Sequence, residues 1–63
     1  MTTNQLTAEI ESMLLKRIDT AKRFRDEANA QNNDALAARW VERAGAFRDV
    51  LNSIREIAEE EVA

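Results

Sequence analysis

The sequence contains no cysteine, no histidine, no proline and no tyrosine, and it has a single glycine. Without cysteine there is neither a disulfide framework nor a thiolate metal site. The absence of histidine removes the commonest general base and zinc ligand. Lack of proline and near lack of glycine, beside many Ala, Glu, Arg and Leu, points to long helices and away from a sheet. Long apolar runs are also missing: Met13-Leu14-Leu15 falls far short of the ~20 residues that span a bilayer. The start, Met1-Thr2-Thr3-Asn4-Gln5, has no basic stretch followed by an apolar one, so no signal peptide is expected. These absences predict a soluble, cytoplasmic protein without a cofactor. At 63 residues the chain forms one domain at most. A chain this short buries only about 60% of its unfolded surface, which leaves a single core marginal. With disulfides excluded and metal ligands scarce, oligomerisation is the remaining source of stability.

Apolar residues recur at helical spacing from Leu6: Leu6, Ile10, Met13/Leu14, Ile18, Ala21, Phe24, Ala28. Steps of three and four keep them on one stripe. Thr2 and Gln5 match a capping box, with Met1 and Leu6 as its hydrophobic staple. The stripe lapses at Asn29-Ala30-Gln31-Asn32-Asn33-Asp34, where Asn suits a helix end and Asn or Asp a helix start. A second seam follows, Trp40, Ala44, Phe47, Leu51, Ile54, Ala58, with heptad spacing throughout. The expected organisation is helix 1 over about 3–30, a turn at about 31–34, and helix 2 over about 35–61. So short a turn makes the helices antiparallel neighbours. Distance from the turn pairs Phe24 with Trp40, Arg17 with Phe47, Ile10 with Ile54 and Leu6 with Ala58.

The apolar band is wider than one hairpin can cover. Leu15, Ile18, Met13, Val50 and Ile57 fall beside the central seam. A second hairpin would cover them, and a different protein is the alternative; with the former, the fold class expected is all-α: an antiparallel two-helix hairpin dimerising into a four-helix bundle. The expected core and dimer interface is Leu6, Ile10, Met13, Leu14, Leu15, Arg17, Ile18, Phe24, Trp40, Phe47, Val50, Leu51, Ile54 and Ile57. Arg17 is the odd member, a cation on the seam of helix 1, read as packing its stem along the groove while its head reaches solvent or pairs with a carboxylate. Gly45 falls mid-helix on the face opposite the seam, where it costs about 1 kcal/mol relative to Ala. Ala21-Lys22-Arg23-Phe24-Arg25-Asp26 echoes Ala44-Gly45-Ala46-Phe47-Arg48-Asp49, which shared heptad spacing explains.

Catalysis needs a nucleophile, a base or a metal held in a cleft. The candidates are paired carboxylates: Glu9 with Glu11, Asp26 with Glu27, and Glu56 with Glu59 and Glu60. A di-iron bundle would also require Glu-x-x-His. Without histidine these groups read as solvated surface charge, and the chain as a non-enzyme.

The formal net charge of −3 conceals a division. From Lys16 to Arg48, eight bases stand against five acids, giving +3; the remaining residues hold one base against seven acids, giving −6. A hairpin would therefore be basic near its turn and acidic at its open end. Candidate partner contacts are Lys22, Arg23, Arg25, Arg39, Arg43 and Arg48.

In length and layout the hairpin resembles the Rop-like plasmid regulators, dimeric four-helix bundles that bind paired RNA loops. That resemblance is architectural and transfers no site residue. Asp34-Ala35-Leu36-Ala37-Ala38-Arg39-Trp40, with Glu42-Arg43-Ala44 and Phe47-Arg48-Asp49-Val50-Leu51, is similar to helical-hairpin segments of short phage and mobile-element proteins. This second likeness implies a small accessory protein that binds and modulates a larger host or phage protein, acting in the host cytoplasm. The expected function is thus a protein–protein interaction module, as inhibitor or adaptor. A regulator that binds RNA or DNA through the basic half is the alternative, and a structural element of a larger particle the next. The bases are interleaved with acids, unlike the unopposed footprint of most nucleic-acid modules.

Overall fold

The computed structural model describes residues 3–62, with side chains at 4–60. Two helices make up the fold, α1 (Thr3–Ala30) and α2 (Asp34–Val62), and no strand occurs among the described residues. Met1 and Thr2, on which the predicted capping box depends, lie outside the described residues.

The turn is built by asparagines. Asn32 adopts φ 58°, the left-handed conformation, which Asn tolerates better than most residues because its short side chain bonds locally. Its N–H donates to the Asn29 carbonyl at 3.0 Å, and the Asn33 N–H donates to the Ala28 carbonyl at 2.8 Å. This pair of bonds is a Schellman motif, and it satisfies carbonyls that the end of α1 would leave open. Asn33 then starts α2. Its carbonyl accepts from the Ala37 N–H at 3.0 Å and its side-chain oxygen from the Leu36 N–H at 3.2 Å. One residue thus ends one helix and caps the next, and Asp34 adds a negative charge at the positive end of α2.

The buried core is thin. It comprises Leu14, Ile18, Ala21, Ala28, Ala37, Ala44 and Leu51. Leu14, Ile18 and Leu51 form its one cluster, flanked by half-buried Ile10, Phe47 and Ile54. Nearer the turn only alanines are buried, which lets the helix backbones approach closely. Arg55 and Glu11 join the helices at the open end, 3.5 Å apart.

Two readings of α1 are corrected. Ile18, expected beside the seam, is 6% exposed and central to the core, whereas Arg17, expected on the seam, is exposed. At 100° per residue the two lie on either side of Leu14, so periodicity alone ranks them nearly equally. Desolvation decides: a guanidinium buried against Leu51 would lack a partner, and an isoleucine there costs nothing.

The hairpin is long and flat. Its Cα extents are 47 × 18 × 9 Å, and its radius of gyration is 14.6 Å, against about 11 Å for a compact chain of this length. Both broad faces are therefore open to solvent.

Candidate functional site

On α1, Leu6, Ile10, Met13, Arg17, Thr20 and Phe24 follow one another in steps of four and three. On α2, Leu36, Trp40, Arg43, Phe47, Val50, Ile54 and Ile57 do the same. Each set forms a strip flanking the buried seam. The two strips share one broad face, because their members line common depressions. Arg17, Thr20, Trp40, Arg43 and Phe47 surround one of about 340 Å³. Phe24, Gln31, Leu36 and Trp40 line the next, toward the turn.

This face holds most of the exposed apolar surface. Eight large hydrophobic residues are exposed among the described residues, and six of them lie here: Leu6, Met13, Phe24, Leu36, Val50 and Ile57. Ile10, Trp40, Phe47 and Ile54 are half-buried at its floor. Val50 and Ile57 are 48% and 57% exposed, values that a soluble monomer rarely assembles into one contiguous patch.

Trp40 is the hub. Its ring stacks on Phe24 with centroids 4.8 Å apart and planes at 24°, close to the offset geometry that aromatic pairs prefer. The Arg43 guanidinium lies 4.8 Å from the Trp40 ring centroid. A cation in that position is worth roughly 0.5–1 kcal/mol at an exposed site. The indole thus touches both a ring and a cation, and Arg17, with no ion pair among the described residues, lines the same depression.

The opposite face differs in character. Lys22, Arg25 and Arg48 border a groove of about 180 Å³ whose wall includes Trp40, Val41 and Gly45, so Trp40 reaches both faces. Nothing lies within 4 Å of where a Gly45 Cβ would stand, so the floor is open. Arg25 is partly neutralised by Asp26, 2.9 Å away. Leu15 sits farther down this side in a shallow depression with Glu11 and Lys16.

The six expected partner-contact cations are thus dispersed. Lys22, Arg25 and Arg48 share the groove, and Arg43 lies on the aromatic face. Arg23 pairs with Asp19 at 3.3 Å on the solvent side of α1, and Arg39 is exposed apart from both. Of the expected interface residues, Leu14, Ile18 and Leu51 are inside the hairpin, Leu15 is on the basic side, and the others line the aromatic face. Leu36 and Thr20 also line this face and are absent from the expected interface set. The unbroken spacing Leu36-Trp40-Arg43-Phe47, and Thr20 standing between Arg17 and Phe24, were the signals available. Among the described residues no three carboxylates converge as a metal site would require, and no helix is long and apolar enough to cross a membrane.

Comparison with protein-family models, curated proteins and solved structures yields no match to this chain.

Proposed function

We propose that the chain is a non-enzymatic, cytoplasmic protein–protein interaction module. It self-associates through the aromatic face into a four-helix bundle and presents its basic groove to an acidic surface on a larger protein. The observation that supports this most is the aromatic face itself. Six exposed large apolar side chains and four half-buried ones lie on one side of a hairpin whose own core is mainly alanine. Leaving that surface wet forgoes about 25 cal/mol per Å² of apolar area that association would recover. Trp and Arg at its centre are residue types enriched at interface hot spots. The thin core and the open face are complementary facts, since each hairpin lacks the layer that another helical pair would supply.

Sedimentation of the wild-type chain at micromolar concentration is expected to give twice the 7.2 kDa mass. A Val50→Glu/Ile57→Glu variant should sediment as 7.2 kDa, and a monomeric wild type overturns the self-association. For the groove, a partner retained from nuclease-treated extract by the wild type should be lost with Lys22→Glu/Arg48→Glu.

A nucleic-acid regulator is the second reading, supported by the same Lys22, Arg25 and Arg48 cluster. It predicts retention of RNA or DNA at low salt that falls steeply as salt rises. The dispersal of the remaining cations over other sides of the hairpin favours the protein reading.

A further inference from the structure

Resting on the self-association reading, we infer that the occupant of the aromatic face is a second copy of this chain stacked in the opposed direction. The turn of each hairpin then lies over the open end of the other. Three observations lead there.

The first is area. The surface of the chain is 4959 Å², whereas a compact monomer of this mass exposes about 4,100 Å². That excess, spread over both open faces, is of the same order as the ~800 Å² that each partner contributes to a standard interface. The face itself, 47 by 18 Å between Cα extremes, has a plan of about 850 Å², enough for such an interface. A second hairpin has the same length and breadth and would cover the whole strip, from Leu36 at one end to Leu6 and Ile57 at the other.

Charge along the long axis selects the direction. The turn half carries +3 and the remainder −6. Stacking the copies in the same direction sets +3 against +3 and acid against acid. Stacking them opposed sets each basic half along an acidic one. Complementarity of this kind speeds encounter and suppresses the wrong orientation.

The third observation is the arrangement of bulk on the face. Arg17 and Phe47 lie near the midpoint of the hairpin, with Phe24, Trp40 and Arg43 on the turn side and Ile10, Val50 and Ile54 on the open side. Same-direction stacking would crowd both Trp40–Phe24 pairs into one layer. Opposed stacking lays each Trp40–Phe24 pair over the Ile10–Ile54 level. Large rings then face smaller aliphatic side chains, as interdigitated layers require.

The absence of native cysteine allows a direct test. Ala30→Cys, at the exposed end of α1, is spin-labelled and the distance between labels is measured by pulsed electron paramagnetic resonance. From the helical rise, opposed copies place the labels on the order of 40 Å apart and same-direction copies within roughly 25 Å. A distribution centred near 40 Å that disappears in the Val50→Glu/Ile57→Glu background supports the inference. A dimer with the short distance overturns the orientation while leaving the face as the interface. A 40 Å distance that survives Val50→Glu/Ile57→Glu overturns the choice of face. A monomer at every concentration removes the self-association reading and this inference with it. Association that slows as salt rises is a second expected mark of the opposed arrangement, and association that quickens speaks for the other.

Discussion

Asn32 and Asn33 are adjacent and chemically identical, yet they meet different demands. Asn32 holds a left-handed backbone, while Asn33 supplies a side-chain acceptor to the Leu36 N–H. Asn32→Ala should lower stability by about 1 kcal/mol because alanine has no local bond to offset its left-handed strain. Asn32→Gly should not. Asn33→Ala should cost about 1 kcal/mol through the lost cap. Urea denaturation of the three variants at one protein concentration separates the two roles. Gly45 makes the reverse case. Its Cβ position is empty to 4 Å, so Gly45→Ala should raise stability by about 0.8–1 kcal/mol through helix propensity alone. Thermal unfolding of that variant checks it: a lowered midpoint would mean that the backbone there is under a constraint that the contacts do not show.

At the scale of the helix, α1 and α2 each present two strips of different worth. The inner strip of α2 holds Ala37, Ala44 and Leu51, and the outer strip holds Leu36, Val50 and Ile57. Leu51→Ala removes a side chain that is 3% exposed from a cluster of three. Its expected cost of about 2–5 kcal/mol is large against so thin a core, and circular dichroism should show lost helicity. The seam of α2 was legible because Trp40, Ala44, Phe47, Leu51, Ile54 and Ala58 keep an unbroken heptad, and all six are buried or half-buried. The seam of α1 was legible only in part. Its apolar residues spread over a wider arc than one neighbour covers, so Leu6, Met13 and Phe24 matched the period yet remain exposed. Ser53 illustrates a quieter local rule: its hydroxyl donates to the Asp49 carbonyl at 3.0 Å, one turn back within the helix.

For the whole molecule, flatness is the property with the most consequences. A slab two helices wide exposes both faces, and one of them is apolar. If a second copy covers that face, stability depends on protein concentration. The unfolding midpoint should then rise as the concentration is raised, following mass action. A midpoint constant over a hundredfold range would show that the hairpin stands alone. Lys22, Arg25 and Arg48 should stay accessible on association, although Trp40 lines their groove as well as the aromatic face.

Composition, the asparagine-rich break and the heptad of α2 were enough, read as sequence, to imply two long helices, one turn and their antiparallel pairing. These features follow from local backbone preferences and from periodicity, which act within a few residues. Periodicity could not choose between Arg17 and Ile18 for the core, nor divide the wide apolar band into an inside and an outside. It could not gather Lys22, Arg25 and Arg48 while separating them from Arg23, Arg39 and Arg43. Those outcomes depend on how far α1 is rotated about its axis against α2. Only the packed pair sets that rotation, through the cost of burying a charge and the close approach of alanine-lined backbones.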